Sequence, residues 1–201
     1  MANRPRVIGI TGGIGSGKSY VSAMLQKAFD IPVYDCDKEA KRLTATSEEI
    51  RCKLIALVGP DVFDGNQLNR KCLADYLFAS NENASMVNAI VHPAVMQDFQ
   101  QWAAAAKQPI VGMESAILFE SGFHTTVDII LFVDAPQEVR LSRAMQRDTA
   151  TEAQIKARMK MQQPETYKEK ADFIIDNGTA DDSKLLEQLN ETIIPLLKLP
   201  T

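Results

Sequence analysis

The sequence predicts an α/β fold in which five parallel strands form a sheet covered by helices on both faces. Short apolar runs rich in β-branched residues alternate with amphipathic segments along the 201-residue chain, which is the pattern of a parallel sheet with helical crossovers. A glycine-rich segment follows the first apolar run and leads into the first helix. Acidic residues follow several later runs, at the carboxyl ends of the predicted strands, where open α/β sheets bind their ligands.

The glycine-rich segment has the spacing G-x-x-x-x-G-K-[ST], which is the phosphate-binding P-loop. It consists of Gly12, Gly13, Ile14, Gly15, Ser16, Gly17, Lys18 and Ser19. A predicted strand from Arg6 to Ile10 precedes it and a predicted helix from Tyr20 to Phe29 follows it, as the motif requires. The loop N–H groups and the helix N-terminus bind phosphate oxygens. Lys18 reaches the β- and γ-phosphates of a nucleoside triphosphate, and Ser19 can ligate Mg²⁺.

Two carboxylates follow the second apolar run, which extends from Ile31 to Tyr34. If the chain is still extended there, Asp35 and Asp37 point in the same direction from the end of a strand, close to the P-loop. That arrangement favours a catalytic role for the pair. The alternative is that one of the two acids caps the next helix, which we expect to begin near Lys38.

The segment from Lys38 to about Lys107 has a helical pattern interrupted by turns, and no strand is predicted in it. It is far longer than the usual crossover between parallel strands. We therefore predict that residues 38–108 form a helical lobe, inserted into a core made of residues 1–37 and 109–201. His92 precedes Pro93, which we expect to start a new helix, and a structural role is favoured for this histidine.

Two later strands end in an acid and are candidates for a second magnesium-binding element. The run from Pro109 to Met113 ends at Glu114, and the run from Ile129 to Val133 ends at Asp134. Either carboxylate can bind Mg²⁺ through water or cap the following helix, and the pattern does not decide between these roles.

The last strand is predicted from Phe173 to Ile175, and Asn177 follows it closely. A final helix from Asp182 to Leu197 carries an apolar stripe that we assign to the core. The stripe comprises Leu185, Leu186, Leu189, Ile193, Leu196 and Leu197.

The helix after strand four carries Arg140, Arg143 and Arg147 on one face. Such a face is commonly solvated, but in a P-loop protein it also suits a lid, because a guanidinium stabilises the charge of a phosphoryl group in transfer. A second basic helix follows, with Thr151 as its predicted N-cap. We predict that residues 137–165, the lid segment, form a hinged helical lid within the core.

Composition and charge exclude several classes of protein. The net charge of −4 disfavours a general nucleic-acid partner, and no apolar run approaches the roughly 20 residues of a membrane span. Three cysteines without a CxxC pair indicate reduced thiols and a cytoplasmic protein. A GTPase is disfavoured because the chain has no guanine-reading N-K-x-D, and the segment Asp176-Asn177-Gly178 lacks the lysine.

The motifs, in this order, resemble those of the dephospho-CoA kinase family over nearly the whole chain. Beyond the P-loop they are Asp35-Cys36-Asp37, Leu68-Asn69-Arg70, Leu77-Phe78, His92-Pro93, Leu118-Phe119-Glu120-Ser121-Gly122, Val133-Asp134-Ala135-Pro136, Arg143 to Asp148, and Ile175-Asp176-Asn177. The chain departs from the family pattern at four positions. Tyr20, Cys36, Glu114 and Ala116 stand where the family usually has threonine, alanine, aspartate and proline.

The resemblance implies transfer of a phosphoryl group from ATP, with Mg²⁺, to the ribose 3′-hydroxyl of dephospho-CoA, the final step of coenzyme A synthesis. By its match to the second acid of the family's D-x-D motif, Asp37 is implied as the base, with Asp35 as a supporting ligand or orienter. Lys18, Arg143 and Arg147 would neutralise the developing charge.

The resemblance also implies where the two substrates bind. The P-loop would hold the phosphates, joined by the backbone N–H of Tyr20, and Asn177 would lie near the adenine of ATP. The inserted lobe would carry the acceptor-binding surface. The small-molecule substrates are then ATP and dephospho-CoA, with neither a nucleic acid nor a membrane as a partner. The sequence does not predict the oligomeric state.

Two other functions remain open from the P-loop alone. One is a different small-molecule kinase on the same core, such as a nucleotide or shikimate kinase, with another acceptor. The other is an ATP-binding switch or assembly module, which would hydrolyse ATP slowly and ignore any acceptor. The order of motifs beyond the P-loop favours dephospho-CoA kinase over both.

Overall fold

The structure, a computed structural model, describes residues 4–147, 149–162, 164–179 and 181–198. Asp148, the last residue of one family-like motif, lies outside the described residues. The contacts within the chain divide it into two units. The core unit comprises Met1–Asp35 and Ala103–Thr201, and the inserted unit comprises Cys36–Trp102. Among the described residues, no helix has both the length and the apolar character needed to cross a bilayer.

The described elements are numbered along the chain. The strands are β1 (Arg6–Thr11), β2 (Val33–Asp35), β3 (Phe63–Asp64), β4 (Gln67–Leu68), β5 (Ile110–Glu114), β6 (Ile129–Asp134) and β7 (Phe173–Asp176). The helices are α1 (Lys18–Phe29), α2 (Cys36–Thr46), α3 (Glu48–Val58), α4 (Arg70–Ala79), α5 (Asn81–Ala105), α6 (Gln137–Arg147), α7 (Glu152–Met161), α8 (Pro164–Lys168) and α9 (Asp182–Lys198). Short 3₁₀ turns cover Pro60–Val62 and Phe123–Thr126.

The core unit contains a five-stranded sheet in the order β2-β5-β1-β6-β7, with every neighbouring pair parallel. The predicted fold class is therefore confirmed. The first strand of the chain lies at the centre, where Arg6 pairs with Ile110 and Ile8 with Ile129. All carboxyl ends meet at one edge, which is where a doubly wound sheet presents its ligand-binding loops.

Both faces of this sheet are buried. On one face, β-branched and leucine side chains of the strands pack against α1 and α9. This cluster includes Ile8, Ile10, Leu131, Val133 and Ile175 from the strands, Val21 and Leu25 from α1, and Leu185, Leu189, Ile193 and Leu196 from α9. On the other face, the side chains of Leu118 and Val127 lie against Gly9, where a Cβ would be 3.0 Å from each.

The predicted stripe of α9 is correct in most of its positions and wrong in one. Leu189 is fully buried in the core, but Leu197 is 41% exposed. At 3.6 residues per turn, Leu197 is rotated by about 100° from Leu196, which takes the core-facing position in that turn.

The inserted unit is mainly helical, but the prediction that it has no strand was wrong. Strands β3 and β4, of two residues each, form an antiparallel hairpin around a turn at Gly65. Arg51 of α3 holds this turn by donating to Gly65 O at 2.8 Å and to Asn66 Oδ1 at 2.9 Å. Strands of two residues are too short for the alternation of apolar and polar residues that identifies a strand in sequence.

The prediction that Pro93 starts a new helix was also wrong, because α5 continues through it. An interior proline costs about 3 kcal/mol, because it removes one helical hydrogen bond. However, one buried stripe runs along α5 on both sides of Pro93. It consists of Val87, Val91, Val95 and Phe99, spaced by four residues. Burial of these side chains offsets the cost of the proline. His92 is half-buried in the same helix, and burial lowers its pKa.

The two leucines of α9 provide a test of the core assignment. We expect Leu189→Ala to lower the free energy of unfolding by about 2–5 kcal/mol, because it leaves a cavity in a fully buried site. Leu197→Ala, the matched control in the same helix, should lower it by less than about 1 kcal/mol. Urea denaturation followed by circular dichroism measures both values. Equal losses in the two variants would contradict the packing of α9 described above.

Candidate active site

The glycine loop connects the central strand β1 to helix α1 at the carboxyl edge of the sheet. Gly17 takes the N-cap position of α1 with a left-handed φ of 92°, and Lys18 and Ser19 form its first turn. The first turn of a helix presents N–H groups and a partial positive charge to solvent or ligand. The loop thus has the geometry of a helix N-terminus, which in other proteins is a common anion-binding arrangement.

The loop packs directly on the backbone of α6. Gly15 has a φ of 76°, and a Cβ built on it would lie 2.0 Å from the carbonyl oxygen of Arg140. A side chain at this position would therefore force the loop and the helix apart. The glycines of the motif are needed for this contact as well as for the approach of a phosphate.

Asn177, which follows β7, and Arg143 of α6 fix the backbone of the P-loop by hydrogen bonds. Asn177 is buried after β7, and its side-chain Nδ2 donates to the carbonyl oxygen of Ser16 at 2.8 Å. Arg143 Nη1 donates to the Asn177 carbonyl oxygen at 2.8 Å and lies 3.5 Å from the Ser16 carbonyl oxygen. Two residues that the sequence analysis assigned to ATP thus also hold the backbone of the P-loop.

The ammonium group of Lys18 lies over the first turn of the loop. Its Nζ donates to Gly12 O at 3.0 Å and to Gly13 O at 3.3 Å. These carbonyl groups orient the lysine at the place where the motif positions it for the β- and γ-phosphates.

Ser19 and Glu114 meet at the base of the loop. Ser19 Oγ donates to Glu114 Oε1 at 2.7 Å, and Glu114 is only 7% exposed. The sheet register brings a second carboxylate to this edge, because Asp35 of β2 pairs with Glu114 of β5. A hydroxyl and two carboxylates at one sheet edge form a set of hard oxygen donors.

Asp134, the other candidate for this role, is engaged elsewhere. Its Oδ2 forms an ion pair with Lys168, and its Oδ1 accepts a hydrogen bond from the N–H of Ala135 at 2.9 Å. The side-chain hydrogen bond to Asp134 raises the pKa of Lys168. The structure thus brings Glu114, and not Asp134, into contact with the P-loop serine.

The chain is not extended through the acid pair, so the expectation of parallel side chains at Asp35 and Asp37 was wrong. Strand β2 ends at Asp35, helix α2 begins at Cys36, and Asp37 lies in the first turn of that helix. Asp37 thus lies inside the first turn rather than before the helix as a cap, and the helix begins two residues before Lys38. A carboxylate is stabilised in this position by the partial positive charge of the helix N-terminus.

The three arginines of α6 lie in different surroundings. Arg140 is 9% exposed and its Nη1 would be 2.0 Å from a Cβ on Gly13, so it is packed against the loop. Arg143 binds backbone carbonyl groups, and Arg147 is exposed at the end of the helix. The three arginines thus differ in burial and in contacts, although their spacing places them on one face of α6.

Helices α6 and α7 share a small core of their own. Ala144, Ile155 and Met159 are buried together, with Ile14 of the loop packed against them. The predicted N-cap of α7 is confirmed, because Thr151 forms a capping box with Gln154. Directly after α7, Gln162 Oε1 accepts a hydrogen bond from the Ile14 N–H at 2.8 Å. The sequence analysis missed this contact, since no local pattern distinguishes Gln162 from its neighbours.

Tyr20 lies in the first turn of α1, and its side chain is exposed rather than packed in the loop. Its side chain is 46% exposed, and a hydrogen bond with Asp182 raises the pKa of the phenol. Its backbone N–H donates to Gly17 O at 3.0 Å, within the first turn of α1.

Comparison with known proteins gives consistent matches over most of the chain. A family model described as dephospho-CoA kinase matches residues 6–182. Curated dephospho-CoA kinases of Bacteroides fragilis and Porphyromonas gingivalis are 48% and 44% identical to the chain. The first alignment covers 92% of the chain and 90% of the relative, and the second covers 82% and 81%. A crystal structure of a Thermus thermophilus protein has a TM-score of 0.85 at 33% identity, covering 98% of this chain and 100% of the other.

The hydrogen bond from Asn177 to the loop can be tested against a matched asparagine. We expect Asn177→Ala to cost about 1–3 kcal/mol of stability and to speed amide exchange in residues 12–17, because a buried carbonyl loses its donor. In Asn83, the side-chain Nδ2 donates to Tyr76 O at 3.0 Å from a less buried position, so Asn83→Ala should have a smaller effect. Hydrogen–deuterium exchange provides the measurement. Unchanged exchange in the loop of Asn177→Ala would contradict this role.

Proposed function

The chain belongs to the dephospho-CoA kinase family, and we propose that it transfers the γ-phosphoryl group of ATP to the ribose 3′-hydroxyl of dephospho-CoA, giving coenzyme A and ADP. The observation that carries this proposal is the family match over residues 6–182, which includes the P-loop and the strand that ends before Asn177. The P-loop is the proposed binding site of the triphosphate. The identity of the acceptor, dephospho-CoA, is inferred from the family.

Binding of the triphosphate is assigned to the residues of the loop and the first turn of α1. The N–H groups of the loop and of the first turn of α1, other than the Ile14 N–H that donates to Gln162, stabilise the phosphate oxygens together with the charge of Lys18. Because the loop is already held by α6 and Asn177, little reorganisation is needed when charge develops in the transition state. Arg143 and Arg147 are assigned to neutralise that charge, as guanidinium groups do in phosphoryl transfer.

Mg²⁺ fits the oxygen donors at the base of the loop. Ser19 Oγ would ligate the ion, and the carboxylates of Glu114 and Asp35 would hold it directly or through water. Magnesium is commonly bound by one or two protein oxygens together with substrate phosphates. When bound, the ion neutralises charge on the β- and γ-phosphates. The contact of 2.7 Å between Ser19 Oγ and Glu114 Oε1 supports this donor set.

Asp37 is assigned as the base for the acceptor hydroxyl. A ribose hydroxyl is a poor nucleophile at neutral pH, and a carboxylate in hydrogen-bond reach both orients it and accepts its proton as the O–P bond forms. Asp37 lies in the first turn of α2, directly after the carboxyl end of β2. Asp35, two residues earlier, is assigned to hold the metal or orient the acceptor. The inserted unit, residues 36–102, is assigned to the CoA side of the substrate.

The cytoplasm is the compartment that we assign to this protein. Cys36 is buried, Cys52 is exposed, and none of the three cysteines forms a disulfide. Thiols are kept reduced in the cytosol, and an odd number of them does not suit an oxidising compartment.

The reaction and its base can be tested together. We expect ADP release from ATP and Mg²⁺ to depend strongly on dephospho-CoA. Asp37→Asn should reduce the acceptor-dependent rate by about 10²- to 10⁴-fold, because the side chain no longer accepts the proton. Glu191→Gln, at an exposed position of α9, is the control and should leave the rate unchanged. A coupled assay for ADP measures all three proteins.

Two outcomes of that assay contradict different parts of the proposal. Acceptor-dependent turnover that survives in a folded Asp37→Asn variant would reject Asp37 as the base and keep the kinase. ADP release that is equal with and without dephospho-CoA would reject the kinase assignment and favour the ATP-binding switch.

The assignment of Mg²⁺ to Glu114 rather than to Asp134 can be tested separately. We expect Glu114→Gln to raise the Mg²⁺ concentration required for half-maximal activity by about 10- to 100-fold, because the carboxylate that supports the ion is neutralised. The amide still accepts the hydrogen bond of Ser19, so the loop is preserved. Asp134→Asn, which breaks the ion pair with Lys168, should leave the Mg²⁺ requirement unchanged. The reverse order of the two variants would assign the metal to Asp134.

A further inference from the structure

The side chain of Arg140 is buried without the partners that a buried guanidinium needs. It is 9% exposed, and its Nε is fully buried without a hydrogen-bond partner. Within the part of the chain that the structure describes, no hydrogen bond or ion pair joins this side chain to another residue. A buried charge is costly unless an opposite charge and hydrogen bonds compensate it. Among the described residues, the positive charge of Arg140 therefore has no hydrogen-bonded or ion-paired partner.

That charge lies directly against the P-loop. Arg140 Nη1 is so close to Gly13 that a Cβ there would be 2.0 Å away, and the Arg140 backbone packs on Gly15. On the same loop turn, Lys18 Nζ is 3.3 Å from Gly13 O. Two cationic groups thus approach Gly13, and an anion bound beside this glycine would lie close to both.

A second polar group of the loop is in the same situation. Ser16 Oγ is buried and has no hydrogen-bond partner among the described residues, and it would lie 2.8 Å from a Cβ on Gly12. Arg143, one turn further along α6, differs from Arg140 because its Nη1 binds the carbonyl oxygen of Asn177. The two arginines therefore have different roles, although the sequence places them on one face.

We propose that Arg140 is a phosphate-binding residue of this enzyme. Its guanidinium donates a charge-assisted hydrogen bond to a phosphate oxygen of the nucleotide held by the P-loop, next to Gly13. This role rests on the proposed function only for the identity of the nucleotide as ATP or ADP. The absence of a side chain at Gly13 is what permits the approach of the guanidinium.

The role predicts opposite effects on binding and on stability. Arg140→Met keeps the length of the side chain and removes the charge. It should weaken ADP and ATP binding by about 10-fold or more, since hydrogen bonds to charged groups are the strong ones. The same variant without nucleotide should unfold at the same temperature as the wild type or higher, because a buried unpaired charge has been removed. A purely structural arginine would show the opposite change in thermal stability.

The experiment is calorimetric titration of each protein with ADP, pyrophosphate and dephospho-CoA in separate runs, with thermal unfolding measured alongside. Arg140→Lys keeps the charge but not the planar fork, so its ADP affinity should fall between those of the wild type and Arg140→Met. Arg4→Met is the control at an exposed arginine that pairs with Asp128, and it should bind ADP like the wild type. Affinity for dephospho-CoA should stay within about twofold in every variant.

Three results would overturn this inference. They are an unchanged ADP affinity in Arg140→Met, a loss of ADP affinity together with a lower unfolding temperature, and a loss confined to dephospho-CoA. The last result would assign the guanidinium to the diphosphate of the acceptor. A wild type that binds pyrophosphate but not ADP would contradict the proposed function, and the inference would then be judged on pyrophosphate alone.

Discussion

The backbone contact between the glycine loop and helix α6 is the constraint on which the site depends. The carbonyl oxygen of Arg140 occupies the space that a side chain on Gly15 would need. Asn177 and Arg143 add hydrogen bonds from the opposite side. These contacts tie the loop to the segments that follow β6 and β7, so the phosphate-binding surface shares the rigidity of the sheet. A rigid arrangement of donors is what an electrostatic catalyst requires.

Local sequence was sufficient for the parts of the site that are encoded in consecutive residues. The loop, the strands on either side of the long insertion, and the cap at Thr151 all depend on neighbours within a few positions. Glu114 and Asp134 show the limit, because each is an acid after an apolar strand. Only the strand order, with β5 between β1 and β2, places Glu114 beside Ser19. No local pattern in the sequence contains that order.

The wrong boundaries have a common physical cause, which is that burial elsewhere outweighs local preference. The helix after β2 begins at Cys36, a residue that is 3% exposed, so the chain turns before Asp37. Pro93 remains inside α5 because the valines and the phenylalanine around it are buried on one face. The contacts of Arg140 could not be predicted from the sequence either. A helical spacing shows which residues share a face, but it does not show what that face contacts.

The central position of β1 has a consequence for how the protein is made. Within this chain the strand is synthesised before its partners β5 and β6, where Arg6 meets Ile110 and Ile8 meets Ile129. Pairings so distant in sequence close slowly, because the entropy of a long loop opposes them. During translation β1 therefore lacks its sheet neighbours until β5 and β6 have left the ribosome. The P-loop, which directly follows β1, thus reaches its final environment only after these later strands have been synthesised.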